Sequence, residues 1–291
     1  MLWHRLLAHI VEFIADILVR TIAPVVLWLL AKCQRLLGKP LIFMNHEQWQ
    51  DTLFIHYEVE PESLGRALPN GLKPDLLDGK AYVGIVLLTE SGIHPGSQKF
   101  IMGLSHDAMN VRTYVVNEQG EPEPGIYFFN LDCTSALATL GARGVFGLPY
   151  TLASCTRHHQ CTGTHHFRGS RCSSPAAAAV AECKVENRIQ RCDRQSDFLV
   201  ERYCLYHKLP DPWLGAPSRL LRGKIQHTPW KLKPVRLESI NETLLQSSLV
   251  PCGVRILNST SGPGRATGGV SPDLVHFGNT ESISFSFFTE V

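Results

Sequence analysis

Between Asn110 and Tyr150 the alternation of polar and apolar positions changes period twice. Asn110, Arg112 and Tyr114 alternate with Val111, Thr113 and Val115, and a period of two puts the three polar side chains on one face of a strand. An arginine on the inner face of such a strand marks something other than a plain core strand. A turn rich in Gly, Pro and Glu follows at 117–125, and the aromatic run 126–131 reads as the return strand of a hairpin. Thr134 or Ser135 then caps a short helix carrying Leu137, Leu140 and Val145. The helix stops at Gly147 and Pro149, which deliver Tyr150 into the next strand.

Elsewhere the pattern predicts mostly strands. Residues 43–57 read as a strand with Trp49, Phe54 and His56 as its large side chains. Pro61 and Ser63 open a short helix that ends before a turn at 68–71, where Gly71 supplies a positive φ. The nearly all-apolar run 82–88 reads as a buried strand. Residues 92–107 are loop-like, and 151–171 form a hairpin turning near Thr162 and Gly163. A Ser/Ala-rich loop or helix start covers 173–181, a helix or strand 197–206, and a Pro-punctuated connection 209–217. Residues 239–249 predict a helix, 253–272 a Gly/Ser-rich loop, and 281–288 a final strand in which Ile283, Phe285 and Phe287 alternate with serines.

The first forty residues behave differently. His9, Glu12, Asp16 and Arg20 fall at three- and four-residue spacings, one polar stripe on a helix with a wide apolar face. The longest charge-free run, 21–31, is well short of the ~18–20 residues that span a bilayer, and Pro24 interrupts it. Glu12 and Asp16 also interrupt any signal-peptide core. Three roles fit 2–37: packing on its own domain or on the partner in a homodimer, lying in a membrane interface as a peripheral contact, or spanning the bilayer with Arg20 inside. Lys32, Arg35 and Lys39 would leave the following domain in the cytoplasm.

Composition narrows the function classes. The chain has 291 residues, 28 basic and 26 acidic, for a formal charge of +2, so it lacks the clustered basic surface of a nucleic-acid binder. Its nine cysteines have no framework spacing, which points to a reducing, cytoplasmic setting. Cys155, Cys161 and His165, with His158, His159, His166 and Cys172, suggest zinc. However, the Cys155 to Cys161 interval is too wide for a ligand couplet, and alternate hairpin residues face opposite ways. A metal is therefore not expected. GARGVFG lacks the G-x-G-x-x-G spacing, no phosphate loop or Ser-His-Asp signature appears, and no cofactor is expected.

The blocks QWQDTLFIHY, NVRTYV, GIYFFNLD, ARGVFGLPY, ERYCLY, HTPWKLKP and LVHFG occur in this order. The series, covering residue 43 to the C-terminus, resembles the YqjF-like family of uncharacterised bacterial proteins within the acetoacetate decarboxylase-like superfamily. That resemblance implies an α+β, mainly antiparallel β-barrel domain at 41–291, with peripheral helices, an N-terminal apolar helix at 1–40 and a ligand cavity inside the barrel. In the decarboxylase a Schiff-base lysine follows a Gly-aromatic-Pro turn. Here Gly147, Leu148 and Pro149 are followed by Tyr150 and Thr151, and a phenol or hydroxyl cannot replace the amine. Lys73, Lys80 and Lys99 lie in loop-like stretches and Lys231 and Lys233 flank prolines, so none sits where desolvation would lower its pKa. Family members commonly carry Glu two residues before the Asn of the Arg112 strand, where this chain has Ala108.

Two functional readings remain. In the first, an enzyme acts on a small carboxylate or keto acid without a Schiff base. Arg112 holds the anion with Asn110 and Tyr114, Tyr150 holds the oxyanion, and His56, His227 or His276 exchanges protons. In the second, a noncatalytic module binds such a carboxylate and is tethered by its N-terminal helix. Against both stands an internal pair of Arg112 with Glu201, the structural role of most buried arginines.

Overall fold

The computed structural model describes residues 2–38, 42–96, 104–118, 122–209, 219–257, 272–286 and 288–291. Two helices, α1 (Leu2–Thr21) and α2 (Ala23–Leu37), precede β1 (Ile42–Val59), α3 (Pro61–Ala67), β2 (Leu72–Pro74), β3 (Ala81–Pro95) and β4 (Leu104–Asn117). Next come β5 (Pro124–Cys133), α4 (Ala136–Phe146), β6 (Tyr150–His159), β7 (Thr164–Arg171) and β8 (Ala178–Val185). The chain ends with α5 (Arg194–Val200), β9 (Cys204–Lys208), β10 (Leu220–Gln226), β11 (Lys231–Lys233), β12 (Val235–Glu242), α6 (Leu244–Leu249), β13 (Leu274–Ser286) and β14 (Thr289–Glu290).

The strands form one mixed, mainly antiparallel sheet in which β5, β9, β10, β13, β1, β3 and β4 follow one another, and β4 pairs back onto β5 to close a ring. The expected hairpin is present, with Val111 opposite Asn130 and Val115 opposite Gly125. On β1, β3 and β4 both faces are buried. Phe54, Val86, Leu88 and Tyr114 point into the ring, whereas Leu53, Ile55, Leu87 and Val111 pack outward with Phe167 and Leu245. A strand covered on both faces needs no polar alternation, which explains the apolar run at 82–88.

Several expectations need correction. The stretch read as a loop at 92–107 is largely strand, since β3 and β4 remain paired as far as Ile93 and Leu104. Residues 173–181 lead into β8, and 239–249 divide between β12 and α6. Tertiary pairing overrides weak local signals in all three. Lys73 lies on β2 rather than in a loop, and Lys231 and Lys233, between their prolines, form the ends of β11. Lys99, Phe287 and most of the connections expected at 209–217 and 253–272 lie outside the described residues.

The N-terminal segment is a pair of amphipathic helices rather than one apolar helix. They bend by 53° at the break before Pro24, and no single helix is long and apolar enough to cross a membrane. Ala8, Val11, Ala15 and Val19 are buried at helical spacing, and α1 rests on α4 so closely that a Cβ on Gly144 would lie 3.1 Å from Leu18. The polar stripe borders this contact. Arg143 donates two hydrogen bonds to Asp16, at 2.7 and 3.0 Å, and Ser173 donates one to Glu12 at 3.0 Å. Trp3, Leu6, Ile10 and Phe13 lie on the outward face, with Trp3 79% and Phe13 67% exposed.

Candidate functional site

The ring encloses a cavity of about 300 Å³. Its walls are predominantly apolar, and a few polar groups converge on it, the usual character of a ligand pocket. The capped helix supplies one wall. Ser135 accepts a hydrogen bond from Ala138 N at 3.1 Å, settling the choice of cap, and α4 then presents Leu137, Gly141 and Val145 to the cavity. Gly147 ends α4 at φ 71°, a left-handed conformation in which a side chain would be strained. A Cβ there would also lie 2.8 Å from Leu209. The turn then brings Tyr150 to the cavity wall.

Of the candidate residues, Arg112, Asn110, Tyr150 and His227 line the cavity. Arg112 is 6% exposed. Its Nη2 donates to the Leu199 carbonyl at 2.9 Å, its Nε has no partner, and its guanidinium lies 5.2 Å from the Phe54 ring centroid. It makes no ion pair among the described residues. Other buried or half-buried arginines do: Arg202 meets Asp75 at 2.6 Å and Arg171 meets Asp132 at 3.0 Å. The proposed Arg112–Glu201 pair is absent. Glu201 instead accepts from Trp230 N at 2.8 Å and from the Tyr203 hydroxyl at 2.6 Å, because α5 ends where it can brace the Trp230 segment rather than reach inward.

Tyr114, His56 and His276 share the interior of the fold but do not line the cavity. Tyr114 lies behind Arg112, with its hydroxyl 3.0 Å from His56 Nδ1. His276 Nε2 lies 3.1 Å from Ser196 Oγ, which itself donates to Asp193 at 2.8 Å, so Nε2 is the donor to serine. Burial, then the nearby His276 and Arg112, hold the His56 imidazole well below its ordinary value. Burial pushes His276 down to about 4, against the pull of Asp193. The lowered values favour the neutral form of both rings. At the cavity wall, burial together with Glu90 and Cys133 pushes the Tyr150 phenol well above its usual range, leaving it a hydrogen-bond donor. His227 points Nδ1 at the Thr228 carbonyl, 2.8 Å away, and stacks on Tyr203 at 4.6 Å.

Glu90, His46 and His106 also line the cavity and were not anticipated. His46 Nδ1 lies 3.1 Å and His106 Nε2 3.7 Å from the Glu90 carboxylate. Trp49 Nε1 approaches the same His46 nitrogen at 3.0 Å. One Nδ1 cannot donate to Glu90 and accept from Trp49 together. Burial opposes the Glu90 charge, but the His46 hydrogen bond and the charges of His46 and His106 hold its carboxyl below the ordinary value, which favours a proton on Nδ1. Burial lowers His106. The alternation already in hand reaches these positions: His106, Ala108, Asn110 and Arg112 share one face, as do Val86, Leu88 and Glu90. Reading 92–107 as a loop hid His106, and ending the preceding strand at residue 88 left out Glu90. His106 and Arg112 are six residues apart on the continuously paired part of β4, hence roughly 20 Å along the strand.

The His- and Cys-rich hairpin is a surface of β6 and β7. Cys161 is exposed in its turn, and His165 stacks on His159 at 5.9 Å. Among the described residues no group of three or more His, Cys, Asp or Glu could hold a metal ion. No lysine lines the cavity among the described residues.

The DUF2071 family, described as an uncharacterized conserved protein, matches residues 46–263. The uncharacterized protein YqjF of Bacillus subtilis (strain 168) is 29% identical over 203 residues, 69% of this chain and 80% of that protein. Acetoacetate decarboxylase from Legionella pneumophila superimposes with a TM-score of 0.56 at 14% identity, covering 87% of this chain and 88% of the other. The enduracididine biosynthesis enzyme MppR gives a TM-score of 0.57 at 13% identity over 86% and 88%, and its structure has also been determined with pyruvate. At such identities these likenesses establish the fold, and the fold alone.

Proposed function

Because the chain belongs to the DUF2071 family of uncharacterized conserved proteins, on an acetoacetate decarboxylase-like fold, we propose that its ring of strands is a β-barrel that binds a small organic carboxylate against Arg112. One observation carries the reading: a buried guanidinium faces the cavity without a carboxylate partner among the described residues. An uncompensated buried cation is costly, and an entering anion removes that cost through a two-pronged charge-assisted contact. Asn110 and the protonated Tyr150 phenol add neutral donors on the same wall.

Binding is favoured over turnover of a small keto acid. Among the described residues no lysine lines the cavity, so none of them supplies the amine that Schiff-base chemistry needs. Glu90 and His106 stand six residues along β3 and β4 from the Gly84–Arg112 pair, toward the other end of the cavity rather than beside a carboxylate held on Arg112. A thermal-shift comparison of acetate, pyruvate and acetoacetate on wild type and Arg112→Ala tests the clamp. An anion at 100 times its Kd adds about 2.7 kcal/mol to wild-type stability and nothing to a variant without the site. Equal shifts in both proteins would remove Arg112 from the function.

The outward face of α1 and α2 supports a peripheral contact of this module with an anionic bilayer. Trp3, Phe13, Val25 and Trp28 are exposed. The only acidic residues in 2–37, Glu12 and Asp16, are hydrogen-bonded to the domain, whereas Arg5 and Lys32 flank the apolar face. Apolar burial plus attraction to anionic lipid is the signature of an interfacial helix. Co-sedimentation with phosphatidylglycerol vesicles, weaker on phosphatidylcholine and lost in a Trp3→Glu/Phe13→Glu variant, is the expected result. Failure to sediment, with a dimer by light scattering that the same variant dissociates, would assign the face to a second copy of the chain.

A further inference from the structure

The cavity is longer and more apolar than a pyruvate-sized acid needs. Its wall follows β4 from Arg112 to His106, roughly 20 Å of strand; Leu88 and Leu131 stand between those poles, Phe128 is level with Arg112 and Ile126 lies just past it. An acid of three or four carbons would occupy only the Arg112 end. Most of the lining would then remain against water, and the favourable term of burying it would be lost.

A glycine in the wall bears on the size of the occupant. Gly141 lies inside α4, where glycine costs about 1 kcal/mol relative to alanine. It stands one helical turn from both Leu137 and Val145, which line the same cavity. A Cβ built on it meets nothing within 4 Å. Gly144, three residues on, is accounted for by the approach of Leu18 and Ala15 of α1. No neighbour accounts for Gly141, and its missing side chain enlarges the void.

We propose that the ligand of this cavity is a monocarboxylate with an extended aliphatic chain, its carboxylate on Arg112 and its chain along the apolar wall past Gly141. This rests on the Arg112 reading above and adds the class of molecule.

The test is calorimetric titration of the full chain with butanoate, hexanoate, octanoate, decanoate and dodecanoate, each beside its matching primary alcohol. Each added methylene tightens Kd about fourfold until the wall is exhausted, the acids bind more tightly than their alcohols, and Arg112→Ala abolishes that difference. Gly141→Leu moves the tightest homologue to a shorter chain. Gly141→Ala, which fits the open space and favours the helix, gives a smaller displacement of the same sign, and unfolding curves for both variants verify that they are folded. Affinity flat with chain length while the acid preference still depends on Arg112 would overturn this proposal and leave the anion clamp standing. Length dependence shared equally by acids and alcohols would sink the clamp, and this inference with it. A length profile unmoved by Gly141→Leu would also refute it, by placing the chain elsewhere.

Discussion

Lowering the pH from about 8 to about 5 is expected to weaken the fold through histidines that are buried neutral, and His207 on β9 allows the effect to be isolated. Its ring is 5% exposed, its Nε2 has no partner, and burial, opposed by a hydrogen bond to the Phe146 backbone, pushes it down to about 4. In the unfolded chain the ring titrates near 6.5. The depressed folded value means that the unfolded state takes up a proton first as the pH falls. Stability is therefore whole above about 6.5, is lost progressively between about 6.5 and 4, and declines no further from this group below that. At about pH 5 the loss is about 2 kcal/mol per ring by proton linkage. His276, also pushed down to about 4, contributes a similar amount. Together they remove about 4 kcal/mol from a total that is typically 5–15 kcal/mol. The assay is urea denaturation at both pH values on wild type and His207→Gln, the glutamine keeping a donor for the Phe146 carbonyl. The variant is expected to lose about 2 kcal/mol less than wild type between the two conditions. Parallel losses would show that His207 is not buried as a neutral ring.

Two further outcomes are expected. Borohydride added with acetoacetate leaves the intact mass unchanged, since no lysine lines the cavity among the described residues; a reduced adduct would reinstate amine chemistry. Gly144→Val drives a branched side chain into Leu18 and Ala15, which a Cβ alone would approach to 3.1 and 3.5 Å. It should cost about 1–3 kcal/mol by overpacking and expose α1 to limited proteolysis, whereas unchanged protection of residues 2–38 would mean that α1 does not depend on this contact.

Local pattern determined much of what this chain became. The period of two at Asn110, Arg112 and Tyr114 placed Arg112 on the inner face, the Gly and Pro after α4 brought Tyr150 to the cavity wall, and the ordered blocks carried the family and fold. These succeed because strand periodicity, caps and turns are short-range constraints that a few neighbouring residues satisfy by themselves. What the pattern left open was pairing between distant segments. Whether Arg112 met Glu201 depended on where α5 ended relative to β4, and the fold sends that carboxylate to Trp230 N instead. Glu90, His46 and His106 come from three strands, and only the register of β1, β3 and β4 makes them neighbours. His56 and His276 looked like proton carriers among aromatics, but neither lines the cavity and burial favours the neutral form of both rings. The polar stripe of α1 could be read from spacing, but that Arg143 and Ser173 meet it from the domain could not. A side chain's neighbours along the chain fix which way it points, whereas its charge partner, its hydration and its access to a cavity are set by groups far away in sequence, which the closed sheet alone brings within reach.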